Sequence, residues 1–203
     1  MSFITCTPPA AAQGAVAEMY ERQQAHWGHV PNYAQVFSHR PEVLARWGQL
    51  LAEIRRPLDT RRFELATFAA AHELGNTACA LAHGRALRPF FGDDDIVALA
   101  EQRTEGVVDA ADEAVLRFAR LVARDAAQVT AADIEALRAQ GLDDAEIFDL
   151  AATVAGRAFF TKLLDALGVL ADAPMAQLPA PLVNALTLRR PVDTQPCATM
   201  PAR

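Results

Sequence analysis

Aromatic and β-branched side chains are sparse in this sequence, and aromatic residues make up only 7% of its 203 positions. Hydrophobic residues nevertheless account for 52% of the chain, and alanine and leucine supply much of that share. This balance favours helices over sheets and excludes disorder for most of the chain. The length is sufficient for a buried core. We therefore expect an all-α fold in one compact multi-helix domain.

Clustered basic residues are also absent, and the formal net charge is −6. Phosphate binding needs such clusters, so no nucleic-acid partner is expected. Apolar runs end well before the ~20 residues of a membrane span, and no signal peptide is recognised, so no membrane partner is expected. The cysteines form neither a disulfide framework nor a zinc spacing; they are Cys6, Cys79 and Cys197. We predict a cytoplasmic protein without metal or cofactor.

Helical periodicity recurs along most of the chain. It predicts helices over 11–24, from 41 to the proline at 57, and over 59–74, 77–87, 93–101, 110–126, 130–139 and 143–167. Prolines recur from Pro174 onward and leave little scope for periodic structure. We predict a single helical domain over 1–173 and a Pro-rich tail over 174–203 that wraps the body or a partner subunit.

The segment from Glu64 to His83 carries the candidate chemistry. Cys79 and His83 are four residues apart and share one face of a helix. With Asn76 as the N-cap, Cys79 lies in the first turn, where the helix dipole and a nearby imidazole lower a thiol pKa. A break at Gly75 and Asn76 permits an antiparallel helical hairpin, which brings Glu64 to about one turn beyond His83. We predict a Glu64–His83 proton relay serving Cys79.

Each of these residues also has a purely structural interpretation. A lone cysteine on an apolar helix is more often a small core residue than a nucleophile. His83 alone would suit a partly buried histidine bonded to a carbonyl, and Glu64 alone would suit an ion pair with Arg61 or Arg62. His72 and Glu73 are adjacent in sequence, so they point apart on a helix and do not suit a metal site.

The spacing of Glu64, Cys79 and His83 resembles the signature of the alkyl hydroperoxidase D / carboxymuconolactone decarboxylase family. There a glutamate precedes a Cys-x-x-Cys-x-x-x-His motif, and Cys79 matches the second, peroxide-reducing cysteine. The resemblance covers roughly residues 15 to 170. Further landmarks are Met19-Tyr20, Pro31-Asn32, the helix from Pro41 to Trp47, Gly141-Leu142 before Glu146-Ile147, and 159–169.

One position departs from that signature, because Asn76 stands where the family has its first, resolving cysteine. The two-cysteine disulfide cycle therefore cannot run as it does in the full-motif members. A sulfenate on Cys79 would need an outside thiol, or a mobile Cys6 or Cys197, to resolve it. The resemblance thus implies a family member that has only the second cysteine of the motif.

Three functions follow from these residues. The first is thiol-dependent peroxide reduction, an antioxidant activity in which Cys79 attacks a hydroperoxide, His83 manages the proton and Glu64 orients His83. The second is a cofactor-free lyase of the carboxymuconolactone decarboxylase type, in which His83 is the acid or base. The carboxylate of a small organic acid would then meet one of three arginines, Arg61, Arg62 or Arg85. The third is a non-catalytic scaffold. The resemblance implies a homo-oligomer, a trimer or hexamer, with a dimer as the alternative.

Overall fold

The structure, a computed structural model, describes residues 2–201 and consists of helices joined by short loops. Ten α-helices are present in this range: α1 (Gly14–Trp27), α2 (Asn32–Val36), α3 (Pro41–Arg55), α4 (Thr60–Leu74), α5 (Thr77–Leu87), α6 (Asp93–Ala100), α7 (Ala110–Asp125), α8 (Ala131–Arg138), α9 (Asp144–Ala166) and α10 (Ala180–Leu186). Extended pairing in residues 2–201 is confined to two isolated bridges. The predicted all-α fold is confirmed.

Helix ends follow local side-chain chemistry, which is why most predicted boundaries lie close to the observed ones. Asp59 accepts a hydrogen bond from the third helical N–H of α4, and Asp109 and Asp143 cap α7 and α9 in the same way. Pro41 occupies the first position of α3, where its missing N–H costs nothing. The first helix begins and ends three residues later than predicted. It ends at Trp27 because the next residue, Gly28, adopts the left-handed conformation that terminates helices.

Helix α4 lies at the centre of the fold, against α5, α7 and α9. Its nine consecutive residues 63–71 are all buried. A helix that is buried on every side must carry small and apolar residues almost throughout, and four alanines in this stretch meet that requirement. Among residues 2–201, none of the helices combines the length with the apolar character that crossing a bilayer requires.

The C-terminal segment is a folded part of the body. Helix α10 buries Leu182 and Leu186 completely, and it packs on α5 and α6. A side chain at Gly84 would collide with Leu186, so α5 needs glycine where α10 docks. The described part of the tail packs on the body through α10, and the expectation of little periodic structure is wrong there. The last two residues of the predicted tail, 202 and 203, lie outside the described range.

Candidate active site

The turn between α4 and α5 sets the position of the candidate cysteine. Gly75 ends α4 with φ of +77°, and the Arg189 side chain lies where a Cβ would stand, so glycine is required there. Asn76 then caps α5, its side-chain oxygen accepting the Cys79 N–H at 2.8 Å. The predicted hairpin and the predicted cap are both confirmed. Cys79 therefore lies in the first turn of α5, as the sequence predicted.

The hairpin brings Glu64 and His83 into direct contact. The Glu64 carboxylate lies 2.7 Å from Nδ1 of His83, and both side chains are largely buried, with 8% and 12% of their surfaces exposed. The Thr67 hydroxyl lies 3.2 Å from the same nitrogen. The predicted Glu64–His83 contact is confirmed, and it needs no bridging water. The roles of the two residues in a reaction remain predictions.

The hydrogen bonds of this pair define the protonation state of the imidazole. Burial raises the pKa of Glu64, but the hydrogen bond from His83 and the nearby positive charges, Arg55 and Arg157 among them, outweigh it and hold the pKa below its usual range. The ionised carboxylate can only accept, so Nδ1 of His83 must donate. Burial, together with the charge of Arg157, lowers the pKa of His83 and favours the neutral ring. The remaining ring nitrogen, Nε2, then holds a lone pair and can act as a base.

Cys79 is a buried residue, with 4% of its surface exposed. Burial raises the pKa of its thiol, and the opposing effects of the Arg157 charge and a hydrogen bond from Thr161 do not overcome it. The expectation of a lowered thiol pKa is wrong on this point. The first-turn position was predicted correctly, but desolvation of the thiolate outweighs the charge of Arg157 and the hydrogen bond from Thr161. In the resting protein Cys79 is a thiol that requires a base.

A cavity of about 550 Å³ gives Cys79 and His83 access to a small molecule. The two residues lie one helical turn apart on α5, and both line this space. Four aromatic side chains form much of its wall; they are Trp27, Tyr33, Trp47 and Phe160. Trp47 stacks on Phe160 with ring centroids 4.3 Å apart. The cavity is large enough for an aromatic molecule of modest size.

Arg157 is a site residue that the sequence analysis missed. It lies on α9, 7% exposed, and lines the cavity with its guanidinium 5.4 Å from the centre of the Trp47 ring. Its charge acts on Cys79, His83 and Glu64. A signal was available, because this arginine interrupts an apolar stretch of a helix that is otherwise buried along that face.

Of the arginines named from the sequence, the fold places one at the cavity and two away from it. Arg61 pairs with Asp112, and Arg62 pairs with Glu146 at 2.7 Å, so both are engaged away from the cavity. Arg85 lines the cavity, with its guanidinium 5.6 Å from the centre of the Trp27 ring. Of the arginines considered for a substrate carboxylate, only Arg85 is placed to meet one.

One group of side chains in the described range could hold a metal ion. His29, Asp172 and Cys197 offer an imidazole nitrogen, a carboxylate oxygen and a sulfur within 4.8 Å of one another. These are ligand types that zinc accepts. His29 and Asp172 line the cavity, and the nitrogen of His29 that faces Asp172 lies 3.7 Å from its carboxylate. No metal was expected from the sequence, in which the three members of this cluster are remote from one another.

Comparison with solved structures identifies the class of fold. Models of protein families give no match to the sequence, and curated proteins give none either. The structure is similar to the alkylhydroperoxidase AhpD core of an uncharacterized peroxidase-related protein from Ralstonia eutropha JMP134, with a TM-score of 0.70 at 23% identity, covering 86% of this chain and 94% of the other. At this identity the likeness establishes the fold: the chain has the all-α fold of the alkylhydroperoxidase D type.

Two further proteins share this fold. One is an uncharacterized peroxidase-related protein from Silicibacter sp. TM1040, with a TM-score of 0.72 at 21% identity over 83% of this chain and 91% of the other. The second is the debrominase Bmp8, whose cysteine-to-alanine variant in complex with 2,3,4-tribromopyrrole gives a TM-score of 0.67 at 18% identity over 92% of this chain and 98% of the other. The predicted fold class is confirmed by these likenesses.

Proposed function

We propose that this chain is a thiol-dependent peroxidase that reduces organic hydroperoxides at Cys79. One observation supports it above all others: a cysteine and a neutral histidine lie one helical turn apart on the wall of the same cavity, and the other nitrogen of that histidine is held by a carboxylate. This is the arrangement of a nucleophile and its base, with a third group orienting the base. The fold shared with peroxidase-related proteins agrees with the proposal.

The proposed reaction starts with the neutral pair. Nε2 of His83 takes the proton of the Cys79 thiol, and the charge of Arg157 stabilises the thiolate, which burial alone disfavours. The thiolate attacks the terminal oxygen of the hydroperoxide, and the O–O bond breaks. The leaving alkoxide takes the proton from His83. The products are an alcohol and a sulfenic acid on Cys79, so the sulfur is oxidised and the peroxide reduced by two electrons.

An external thiol completes the proposed cycle. Asn76 occupies the position of a resolving cysteine, and neither Cys6 nor Cys197 is among the residues that line the cavity. A small thiol entering the cavity would condense with the sulfenic acid, forming a mixed disulfide and water. A second thiol would attack that disulfide and release Cys79 together with the oxidised reductant.

A second candidate reaction uses the same cysteine. The aromatic wall of the cavity and the likeness to the debrominase Bmp8 favour a reductive removal of halogen from an aromatic ring. The thiolate would take the halogen from a ring carbon, and that carbon would take a proton, giving the dehalogenated ring and a sulfenyl halide. An external thiol would then displace halide and form a mixed disulfide, as in the peroxidase cycle.

The deciding experiment compares the full-length chain with its Cys79→Ser and Cys6→Ser variants. Cumene hydroperoxide is supplied with glutathione, and its consumption is followed while a sulfenic-acid trap reports the modified cysteine by mass spectrometry. We expect turnover in the wild type and in Cys6→Ser, trapping at Cys79, and no turnover in Cys79→Ser. Equal consumption by the wild type and Cys79→Ser would refute the proposal. Halide release from 2,3,4-tribromopyrrole, lost in Cys79→Ser, would favour the second candidate.

A further inference from the structure

Arg157 carries a buried positive charge that the surrounding protein does not satisfy. Its side chain comes from the middle of α9, and 7% of the residue is exposed. The guanidinium Nε is fully buried and has no hydrogen-bond partner within residues 2–201. Burial lowers the pKa of this arginine, although the group stays charged. A buried cation without a matching acceptor lowers the stability of the folded protein, so the presence of an arginine at this position calls for an explanation.

The anionic groups near Arg157 are not available to pair with it directly. The Glu64 carboxylate is engaged by His83 at 2.7 Å. The Cys79 thiol stays protonated at neutral pH, because burial raises its pKa. Burial likewise raises the pKa of Tyr33 to about 12, so its hydroxyl is neutral and donates to Gln23. The charge of Glu64 acts on Arg157 through space, but within residues 2–201 the Nε of Arg157 has no hydrogen-bonded acceptor.

Aromatic faces surround the guanidinium. Its carbon lies 5.4 Å from the centre of the Trp47 ring and 6.0 Å from the centre of the Phe160 ring. Such faces hold the guanidinium plane by cation–π attraction while leaving its N–H groups free to bind an acceptor. The same rings would pack against a flat apolar ligand. The wall thus combines an unpaired cation with a surface suited to an aromatic body.

We propose that Arg157 binds the carboxylate of an aromatic carboxylic acid in this cavity, and that the hydroperoxide reduced at Cys79 carries such an aromatic carboxylate. A carboxylate would supply the acceptor that Arg157 lacks, in the bidentate geometry that guanidinium favours. It would also orient the molecule relative to the thiol, since Arg157 and Cys79 line the same cavity. The statement about the substrate rests on the proposed function, whereas the binding of the carboxylate does not require turnover.

The test is equilibrium binding of benzoate and of benzamide, its neutral isostere, to the full-length chain, followed by tryptophan fluorescence and calorimetry. In the wild type and in Cys79→Ser, benzoate should bind about 10- to 100-fold more tightly than benzamide, as expected for a charge-assisted pair in a buried site. Arg157→Met should abolish this preference. The control is Arg62→Met, which removes an arginine that pairs with Glu146 away from the cavity and should retain the preference.

Thermal unfolding separates recognition from a structural role. Replacing an unsatisfied buried charge with an apolar side chain is expected to leave the melting temperature unchanged or to raise it, so Arg157→Met should lose benzoate and keep its stability. A melting temperature that falls in Arg157→Met and is restored in Arg157→Lys would overturn the proposal, as would retained benzoate preference in Arg157→Met. If Cys79→Ser binds benzoate but the wild type shows no peroxidase turnover, only the proposed reaction is refuted.

Discussion

The Glu64–His83 contact makes a quantitative prediction about catalysis through the substitution Glu64→Gln. Glutamine keeps the shape of the side chain, which is buried and contacts Nδ1 of His83 at 2.7 Å. It removes the negative charge and replaces one oxygen by a donor. An amide turned with its NH2 towards Nδ1 would favour the other tautomer of His83, in which Nε2 carries the proton and cannot accept one from Cys79.

The magnitude follows from the energies of the two hydrogen bonds. A bond to a charged group contributes about 1.5–3 kcal/mol and a neutral one about 0.5–1.5 kcal/mol. The difference of roughly 1–1.5 kcal/mol lowers the rate about 5- to 10-fold, and the unfavourable tautomer adds to the loss. We expect the oxidation of Cys79 to slow about 10- to 100-fold, a range like that found when the hydrogen-bond partner of a metal-bound imidazole is removed. The Glu64 charge also raises the pKa of His83, so the acid limb of the pH profile should move to lower pH.

The assay is stopped-flow oxidation of Cys79 by cumene hydroperoxide, measured from pH 5 to 9 in a background with Cys6 and Cys197 replaced by serine. Glu73→Gln is the matched control, because it makes the same chemical change on the same helix in a carboxylate that binds Arg124. The control should keep the wild-type rate and profile. Wild-type rates and an unmoved acid limb in Glu64→Gln would refute the relay, and so would equal effects of the two substitutions.

Three further predictions concern stability and assembly. Burial lowers the pKa of His72 and of His83, so the unfolded chain binds more protons than the folded one below about pH 6.5, and stability is lost there as pH falls. His72→Gln should therefore reduce the change in the urea midpoint between pH 7 and pH 5. A change as large as in the wild type would contradict this prediction. Asn76→Ala should destabilise by about 1–3 kcal/mol in urea titrations, because it removes the cap of α5 and a bond to Asp165, and a midpoint equal to wild type would disprove it. Light scattering should report a trimer or hexamer for the wild type. Phe148 is 70% exposed, and Phe148→Glu should reduce the size of the oligomer. A monomeric wild type would contradict the predicted oligomer.

The parts of the fold that the sequence predicted are those that local chemistry determines. Gly75 and Asn76 end one helix and begin the next by backbone conformation and capping, so the hairpin could be predicted from a few adjacent residues. The Glu64–His83 contact followed, because a tight antiparallel hairpin fixes which residues face each other. Helix α10 was missed for the opposite reason. Its stability comes from burying Leu182 and Leu186 against α5 and α6, which are distant in the chain.

The cavity could not be predicted from the sequence, because residues of several helices form its wall. Trp47 and Phe160 belong to α3 and α9, and their stacking depends on how these two helices cross. Arg157 lies on the buried face of α9 by helical periodicity, but an arginine is ordinarily assigned to solvent, so its residue type argued against a place in the cavity. The thiol pKa of Cys79 was predicted in the wrong direction, because sequence indicates the helix terminus but not the depth of burial.

Asn76 links the structure of the hairpin to the chemistry of the cysteine. Its side-chain oxygen holds the Cys79 N–H at 2.8 Å, and its nitrogen donates to Asp165 at 2.8 Å. A cysteine at this position could replace neither bond well, because a thiol is a weak donor and a weak acceptor. The half-buried Asp165, whose pKa burial already raises, would lose a partner that opposes the shift. The residue that caps α5 thus leaves no resolving thiol at this position, and a sulfenic acid on Cys79 would need a thiol from elsewhere.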